Sequence, residues 1–345
     1  MAPVRIIVTG LGSWGPGWVD VIQTQDGVEL AAVVEPMDDR RQAVVDAHGL
    51  DPKQAYRDLQ SALDQVDADA VQVVTPPQTH LEVARIAFAA GKPVLMEKPL
   101  AASMADAKAL VQAAEQSGNL LIVSQNYRYR PPMVALRKLI QDGVIGDLLH
   151  IQANCQEDMR LFYEATNFRY LMPHPHIIDM TIHHWDLLRY LTGQEVDTVY
   201  ATSWNIPDSP YQTDASCAIA LKMDDGTPVL YEGSSATHRD RTSWSSWWEF
   251  EGTKGRIWTD GGVGDPHLDT VHLHVYGEDP VIVDNITVAE SDRHGSLLAF
   301  VDALQGGPLP AHTGRDNLNS LATVMACVDS VEQNRVVSVS ELLGE

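Results

Sequence analysis

Arg5-Ile6-Ile7-Val8-Thr9-Gly10-Leu11-Gly12-Ser13-Trp14-Gly15 is the stretch that decides how this chain folds. Residues 5–9 are a short apolar, β-branched run and read as a first strand. A turn with three glycines follows, and then a helical stretch to about Gln25. In such a turn the first glycine permits a tight bend, the second lets backbone approach a pyrophosphate, and the third lets helix and strand pack closely. The N–H groups at the start of the helix, with the positive end of its dipole, suit phosphate. A glycine hexapeptide alone is common; here it occupies the first strand-to-helix turn. Glu35 follows Gly15 by 20 residues, at the end of a second apolar run, where a carboxylate would accept hydrogen bonds from a ribose diol. The turn residues Gly10, Gly12, Ser13, Trp14 and Gly15, with Glu35, are therefore candidate dinucleotide contacts. A carboxylate there repels a 2′-phosphate, so NAD is favoured over NADP. Arg40 and Arg41 close behind are read as solvated residues of a helix's first turn, with service to NADP as the alternative.

Outward from this turn the pattern repeats. Strand-like runs at 30–34, 70–74, 93–96 and 120–123 alternate with helical stretches at 79–90 and 103–117, the last opened by Ser103 and closed by Gly118. Near-continuous apolar strands alternating with helices predict a parallel sheet covered on both faces. Residues 1–125 thus form an α/β Rossmann dinucleotide-binding domain. Beyond it the pattern changes. Helices are expected at 133–142, 176–192, 295–305 and 315–334. Strands are expected at 147–154, 198–204, 216–223, 228–234, 247–251, 256–259 and 270–276, with a hairpin turn at Asp224-Asp225-Gly226. Residues 126–345 are read as an α+β domain with an open, predominantly antiparallel sheet that binds substrate and makes oligomers.

Composition narrows the function. The 345 residues carry a formal charge of −23, which repels nucleic-acid backbones. No run of about 18 apolar residues is present, so no membrane span is expected. The N-terminus goes straight into a strand and lacks the pattern of a secretory signal. Three cysteines, far apart in sequence, suit a reducing cytoplasm and suggest neither a disulfide framework nor a zinc site.

Two further pieces carry chemistry. Glu97-Lys98-Pro99 ends the fourth strand, and open parallel sheets bind ligands at the carboxyl ends of their strands. Asp179, His183 and Asp186 fall at i, i+4 and i+7 of the 176–192 helix, with His176 near the same stripe. Oxidising an alcohol requires a base for the hydroxyl proton. A histidine, with an ordinary pKa of about 6.5, can take it near neutrality. A carboxylate one turn away can orient the ring, and an ammonium can hold the substrate oxygen.

With these residues the chain resembles the Gfo/Idh/MocA oxidoreductases, the family of glucose–fructose oxidoreductase and inositol dehydrogenase. The resemblance runs through Gly10–Gly15, Thr75-Pro76-Pro77-Gln78-Thr79-His80, Glu97-Lys98-Pro99 and Asn126-Tyr127-Arg128-Tyr129-Arg130-Pro131. It continues in Gly143-Val144-Ile145-Gly146-Asp147, the Asp179/His183/Asp186 helix, Glu251-Gly252-Thr253-Lys254-Gly255 and Phe300-Val301-Asp302-Ala303-Leu304. It implies that Lys98, Asp179 and His183 are the catalytic set. It also implies that Thr75, Pro76, His80, Glu97 and Lys98 contact or support the cofactor, and that Arg128 lies at the cofactor–substrate junction. Glu157 and Arg160, just past the 147–154 strand, fall where family members bind polar groups of the substrate, with surface ions as the alternative. The family's open sheet face makes dimers or tetramers. The loop before the catalytic helix departs from the family pattern: Met172-Pro173-His174-Pro175-His176 stands where glycines are usual. That loop makes His176 a candidate substrate contact. A metal bound by His174, His176, His183 and His184 is disfavoured, so no metal is expected.

The leading function is reversible NAD-dependent oxidation of a secondary hydroxyl on a sugar, glycoside or cyclitol. The alternatives are a glycoside hydrolase that uses transient oxidation by NAD and a non-catalytic dinucleotide-binding protein.

Overall fold

The computed structural model describes residues 2–262, 269–284 and 286–344. In chain order the elements begin β1 (Val4–Thr9), α1 (Gly15–Thr24), β2 (Val28–Val34), α2 (Asp38–His48), β3 (Ala55–Tyr56), α3 (Leu59–Gln65), β4 (Ala70–Val73), α4 (His80–Ala89), β5 (Val94–Met96), α5 (Met104–Ser117) and β6 (Leu121–Val123). They continue with α6 (Pro131–Gln141), β7 (Leu148–Gln156), α7 (Thr181–Thr192), β8 (Val196–Trp204), β9 (Ser216–Met223), β10 (Pro228–Ser234), β11 (Trp247–Gly252), β12 (Gly255–Thr259), β13 (Val271–Val275) and β14 (Val281–Val283). The last are α8 (Asp292–Leu304), α9 (Gly314–Gln333), β15 (Val337–Ser338) and α10 (Val339–Leu343).

The chain divides into two compact units. One runs to Asn126 and takes back Glu290–Leu318; the other is Tyr127–Ala289 with Asn319–Glu345. The returning segment differs from the expectation that everything after residue 125 forms one domain. Its cause is packing. Leu297, Phe300 and Val301, at helical spacing on α8, are buried in the same cluster as Ile6, Val8, Trp18, Ile22 and Leu95.

The first unit's sheet has the order β3-β2-β1-β4-β5-β6, and every pairing is parallel. This is the doubly wound order whose ligand crevice lies beyond the carboxyl ends of the strands, where the direction of winding reverses between β1 and β4. Both faces are covered, so β1, β4 and β5 are buried almost throughout.

Among the described residues the second unit's sheet has nine strands in the order β14-β13-β12-β11-β7-β10-β9-β8-β15. Among these described strands only β7 and β10 pair in parallel. Alternation sends Ile151, Ala153, Val199, Ile219, Leu221, Val229, Tyr231, Trp248 and Phe250 into the core. The opposite face keeps Tyr200, Trp204 and Leu230 exposed. The Asp224-Asp225-Gly226 turn joins β9 to β10, with Gly226 at φ 95°.

Candidate active site

The glycine turn of the first unit is fixed by sterics. Gly10 has φ 93°, and a Cβ there would come within 2.7 Å of Thr75 N. A Cβ on Gly15 would fall 2.2 Å from the Gly10 carbonyl oxygen. Both positions therefore require glycine. Gly12 is different: a Cβ there would meet nothing within 4 Å. Among the described residues no atom occupies that space, which leaves the backbone open to a ligand. The ten-residue α1 begins directly after, with no side-chain cap at Trp14, so its first N–H groups are available to an anion.

Three acid and histidine side chains brace this turn. The buried Glu35 carboxylate accepts Leu11 N–H at 2.9 Å and Met37 N–H at 3.1 Å, tying the end of β2 to the turn. Each carboxylate oxygen keeps acceptor capacity for a ribose hydroxyl. Arg41 donates to the Glu35 carbonyl at 2.7 Å and also pairs with Asp38, so it is held on its own helix. Glu97 accepts the Trp18 indole N–H at 2.7 Å and Lys98 N–H at 3.0 Å, so it links α1 to the segment after β5. The Lys98–Pro99 peptide bond is cis, and Lys98 is half-buried. His80 is fully buried, with ring nitrogens 2.9 Å from Thr75 O and 3.2 Å from Leu100 O, and burial lowers its pKa. His80 thus supports the Thr75-Pro76 segment rather than facing a ligand. Thr75 Oγ1 is buried and makes no hydrogen bond among the described residues. These residues fit a dinucleotide: an open backbone cradle, a helix N-terminus and a braced carboxylate.

In the second unit, the expected helix over 176–192 begins as one π-helical turn, His176–Met180, before α7. Thr181 N–H reaches back to His176 O, a five-residue step, after Pro175, which has no N–H to give. Nearly the whole of α7 is then buried. Its apolar residues Ile182, Trp185, Leu187, Leu188 and Leu191 each contribute about 1.5–3 kcal/mol. Its buried polar residues must each find partners.

Those partners separate the sequence candidates. Asp179, in the π turn, accepts from Arg169 Nε at 2.8 Å and keeps a fifth of its side chain exposed. The Arg169 guanidinium lies over the rings of Tyr163 and Phe168. His183 stacks on Tyr127, with ring centroids 4.0 Å apart and planes at 9°. The Arg130 guanidinium also lies over Tyr127, 3.4 Å from the ring centroid, and Arg130 donates to Ser245 at 2.7 Å. Burial raises the Tyr163 hydroxyl to about 12, and the Asp179 charge adds to that.

Four expectations need correction. Arg128, expected at a cofactor–substrate junction, is buried in a bidentate pair with Asp186, both bonds at 2.6 Å. Asp186 accordingly faces Arg128, and Ser320 also donates to it at 3.3 Å. His176, expected to touch substrate, is a core residue only 1% exposed. Its Nδ1 lies 2.9 Å from Ser235 Oγ and its Nε2 lies 2.8 Å from the Tyr231 hydroxyl, while burial pushes its pKa down to about 3. Gly233 makes room for it, since a Cβ there would sit 2.1 Å from His176 Nε2. Arg160 donates to Asp158 on its own loop and to Asp208 and the Thr237 carbonyl on two distant segments, so its guanidinium is engaged in tying these loops together. Glu157 is wholly buried against Arg241 Nε at 2.8 Å, and burial pushes its carboxyl up to about 7 even though that guanidinium pulls it down. It is neither a surface ion nor an open substrate contact. His184 shares the Tyr231 hydroxyl with His176, at 2.8 Å, and reaches the Trp244 carbonyl. Among the described residues no group of three or more His, Cys, Asp or Glu is placed to hold a metal.

Sequence reasoning missed Arg169, Tyr127 and Arg130. Arg169 lies in the short 3-10 turn Phe168–Leu171, which carries no pattern. Tyr127 and Arg130 stand in the Asn126–Pro131 run, where the family resemblance singled out Arg128.

Known proteins share the fold and the family pattern of this chain. Residues 4–125 match the model of the oxidoreductase family with an NAD-binding Rossmann fold, and residues 133–258 match the GFO/IDH/MocA C-terminal domain. The chain is 27% identical to a D-apiose dehydrogenase of Paraburkholderia graminis, over 95% of this chain and 86% of that one. It is 25% identical to a myo-inositol 2-dehydrogenase of Thermotoga maritima, over 99% and 100%. Among solved structures, an oxidoreductase from Agrobacterium radiobacter in complex with NAD+, L-tartaric acid and magnesium superposes with a TM-score of 0.87 at 22% identity, covering 99% of this chain and 100% of that one. An aldose–aldose oxidoreductase from Caulobacter crescentus complexed with glycerol gives 0.84 at 20% identity, covering 97% and 99%. With both family models matched along the chain, this protein belongs to the Gfo/Idh/MocA family of NAD-binding oxidoreductases.

Proposed function

We propose that this chain catalyses the reversible NAD-dependent oxidation of a secondary hydroxyl on a sugar, glycoside or cyclitol, with His183 as the proton acceptor. The observation that carries the reading is the setting of His183: a buried imidazole clamped flat on Tyr127, one helical turn after an acid that Arg169 holds. Relatives named for D-apiose and myo-inositol support a hydroxyl-rich substrate. Gly10, Gly12, Ser13, Trp14, Gly15, Glu35, Thr75, Pro76 and Lys98 hold the cofactor, with His80 and Glu97 behind them. When bound, NAD accepts the carbon-bound hydrogen with its electron pair. The chain's own residues do the rest. The His183 imidazole takes the hydroxyl proton. Asp179 stabilises the imidazolium that forms. The Lys98 ammonium hydrogen-bonds the substrate oxygen and stabilises alkoxide character. Arg128 is a positioning residue that holds α7 through Asp186. A base of this kind contributes about 10²–10⁴-fold.

The exposed sheet face, with Tyr200, Trp204, Leu230 and Tyr276 each 39–52% exposed, supports a homodimer or homotetramer through that face. No described helix is long and apolar enough to cross a membrane.

The test is a panel of sugars, inositols and glycosides with NAD+ and NADP+, followed by absorbance of the reduced cofactor. Turnover with a polyol and NAD+, abolished in Lys98→Ala, is expected. Release of sugar from glycosides without net reduced cofactor would favour the hydrolase. No turnover with any polyol, and no effect of Lys98→Ala, would remove the dehydrogenase reading.

A further inference from the structure

The first unit contains a cation that the reading above does not use. Arg293 sits in the first turn of α8, where a positive charge opposes the helix dipole. Its guanidinium carbon lies 4.7 Å from the centre of the Trp14 ring and 5.9 Å from that of Trp18. Its Nη1 rests against the first turn of α1: a Cβ on Gly17 would come within 2.9 Å of it. The neighbouring backbone is constrained to put it there. Asp292 is held at φ 48°, a left-handed conformation that non-glycine residues seldom adopt, and its carboxylate accepts from Asn126 Nδ2 at 2.9 Å. The carboxylate beside the guanidinium is that of Glu97, 3.9 Å from Nε, and the nearer Glu97 oxygen already accepts the Trp18 indole N–H at 2.7 Å. Arg293 is three-quarters buried, and no hydrogen bond from its guanidinium is formed among the described residues.

Two sources of positive potential therefore meet at one turn: the uncapped N-terminus of α1 and a guanidinium with open donors. Neither stabilises the other, and an anion between them satisfies both. We propose that Arg293 binds the pyrophosphate of the dinucleotide together with the glycine turn, and that stacking on Trp14 holds its guanidinium in place. The assignment rests on the dinucleotide reading of the first unit and is independent of the substrate and of His183.

The experiment is calorimetric titration of the full chain with NAD+ and, separately, with ADP-ribose, which keeps the pyrophosphate and lacks the nicotinamide. It is run on wild type, Arg293→Ala and Arg293→Lys, alongside melting of each protein without ligand. Loss of a charge-assisted contact predicts that Arg293→Ala weakens both ligands by about 10- to 100-fold. Arg293→Lys is expected to recover most of that loss, and the salt dependence of binding to become shallower in Arg293→Ala. Unchanged affinity in Arg293→Ala would overturn the proposal. So would a loss confined to NAD+, which would move the guanidinium to the nicotinamide half. Equal weakness of the Lys and Ala variants with lowered melting would make the role one of stacking alone and would also overturn it. Failure of the wild type to bind either ligand would remove the dinucleotide reading itself, and is distinct from all three.

Discussion

The glycine turn of the first unit and the π-to-α helix of the second both carry candidate ligand contacts, but they are built by opposite means. In the turn the work is done by missing side chains. Gly10 and Gly15 are needed because backbone lies where a Cβ would go, whereas at Gly12 a Cβ would meet no atom of the described residues. In the helix the work is done by added side chains, each bound to a distant partner: Asp186 to Arg128, His176 to Tyr231, Asp179 to Arg169. A site of the first kind is fixed by close backbone approach, at Gly15 from within the turn and at Gly10 from Thr75. A site of the second kind depends on the whole of its unit being folded, and its individual histidines have unlike roles although they lie within one short segment.

The contrast can be broken most severely at the helix. Removing one partner of a buried ion pair leaves the other charge uncompensated, so Arg128→Ala is expected to destabilise the protein by about 3–5 kcal/mol. Denaturant unfolding checks this, and a loss under about 1 kcal/mol would show that Asp186 is satisfied without Arg128.

At the turn the two kinds of glycine should separate. Gly15→Ala forces a Cβ into the Gly10 carbonyl and is expected to cost about 1–3 kcal/mol of stability. Gly12→Ala meets no protein atom, so melting should hold while NAD+ affinity falls about tenfold or more. Thermal melts and NAD+ titrations of the pair would show whether the space over Gly12 belongs to the ligand; equal stability losses in both variants would deny it.

The mildest test is pH. The unfolded chain's His176 takes a proton near its ordinary value of 6.5, while the native one resists until about 3. The unfolded state therefore binds more protons in that window, and stability falls as pH drops through it. His176→Gln should remove up to about one proton from the slope of stability against pH between these limits. An unchanged slope would mean that His176 is protonated in the native protein.

The same contrast explains what is legible in the sequence. The glycine spacing is contiguous in sequence, so the turn, the parallel strands and the position of Glu35 can be read directly. The strands of the second sheet can be read from their alternation. Arg128 and Asp186 are 58 positions apart, and His176 and Tyr231 are 55 apart; no local pattern announces such pairs. The i, i+4, i+7 stripe assumed α geometry from residue 176, and the π turn after Pro175 removes His176 from it. The two-residue strands β3 and β15 are too short to show periodicity. The place of α8 in the first unit depends on Leu297 and Phe300 meeting a core built almost 300 residues earlier, a contact that helical spacing predicts but cannot locate.

Of the second unit's buried histidines, His183 is the one proposed as the proton acceptor. Its most direct measurement is kcat/KM for the best polyol with NAD+ in His183→Gln. The predicted result is a fall of about 10²–10⁴-fold with NAD+ affinity retained. Turnover at the wild-type rate in that variant would contradict the account.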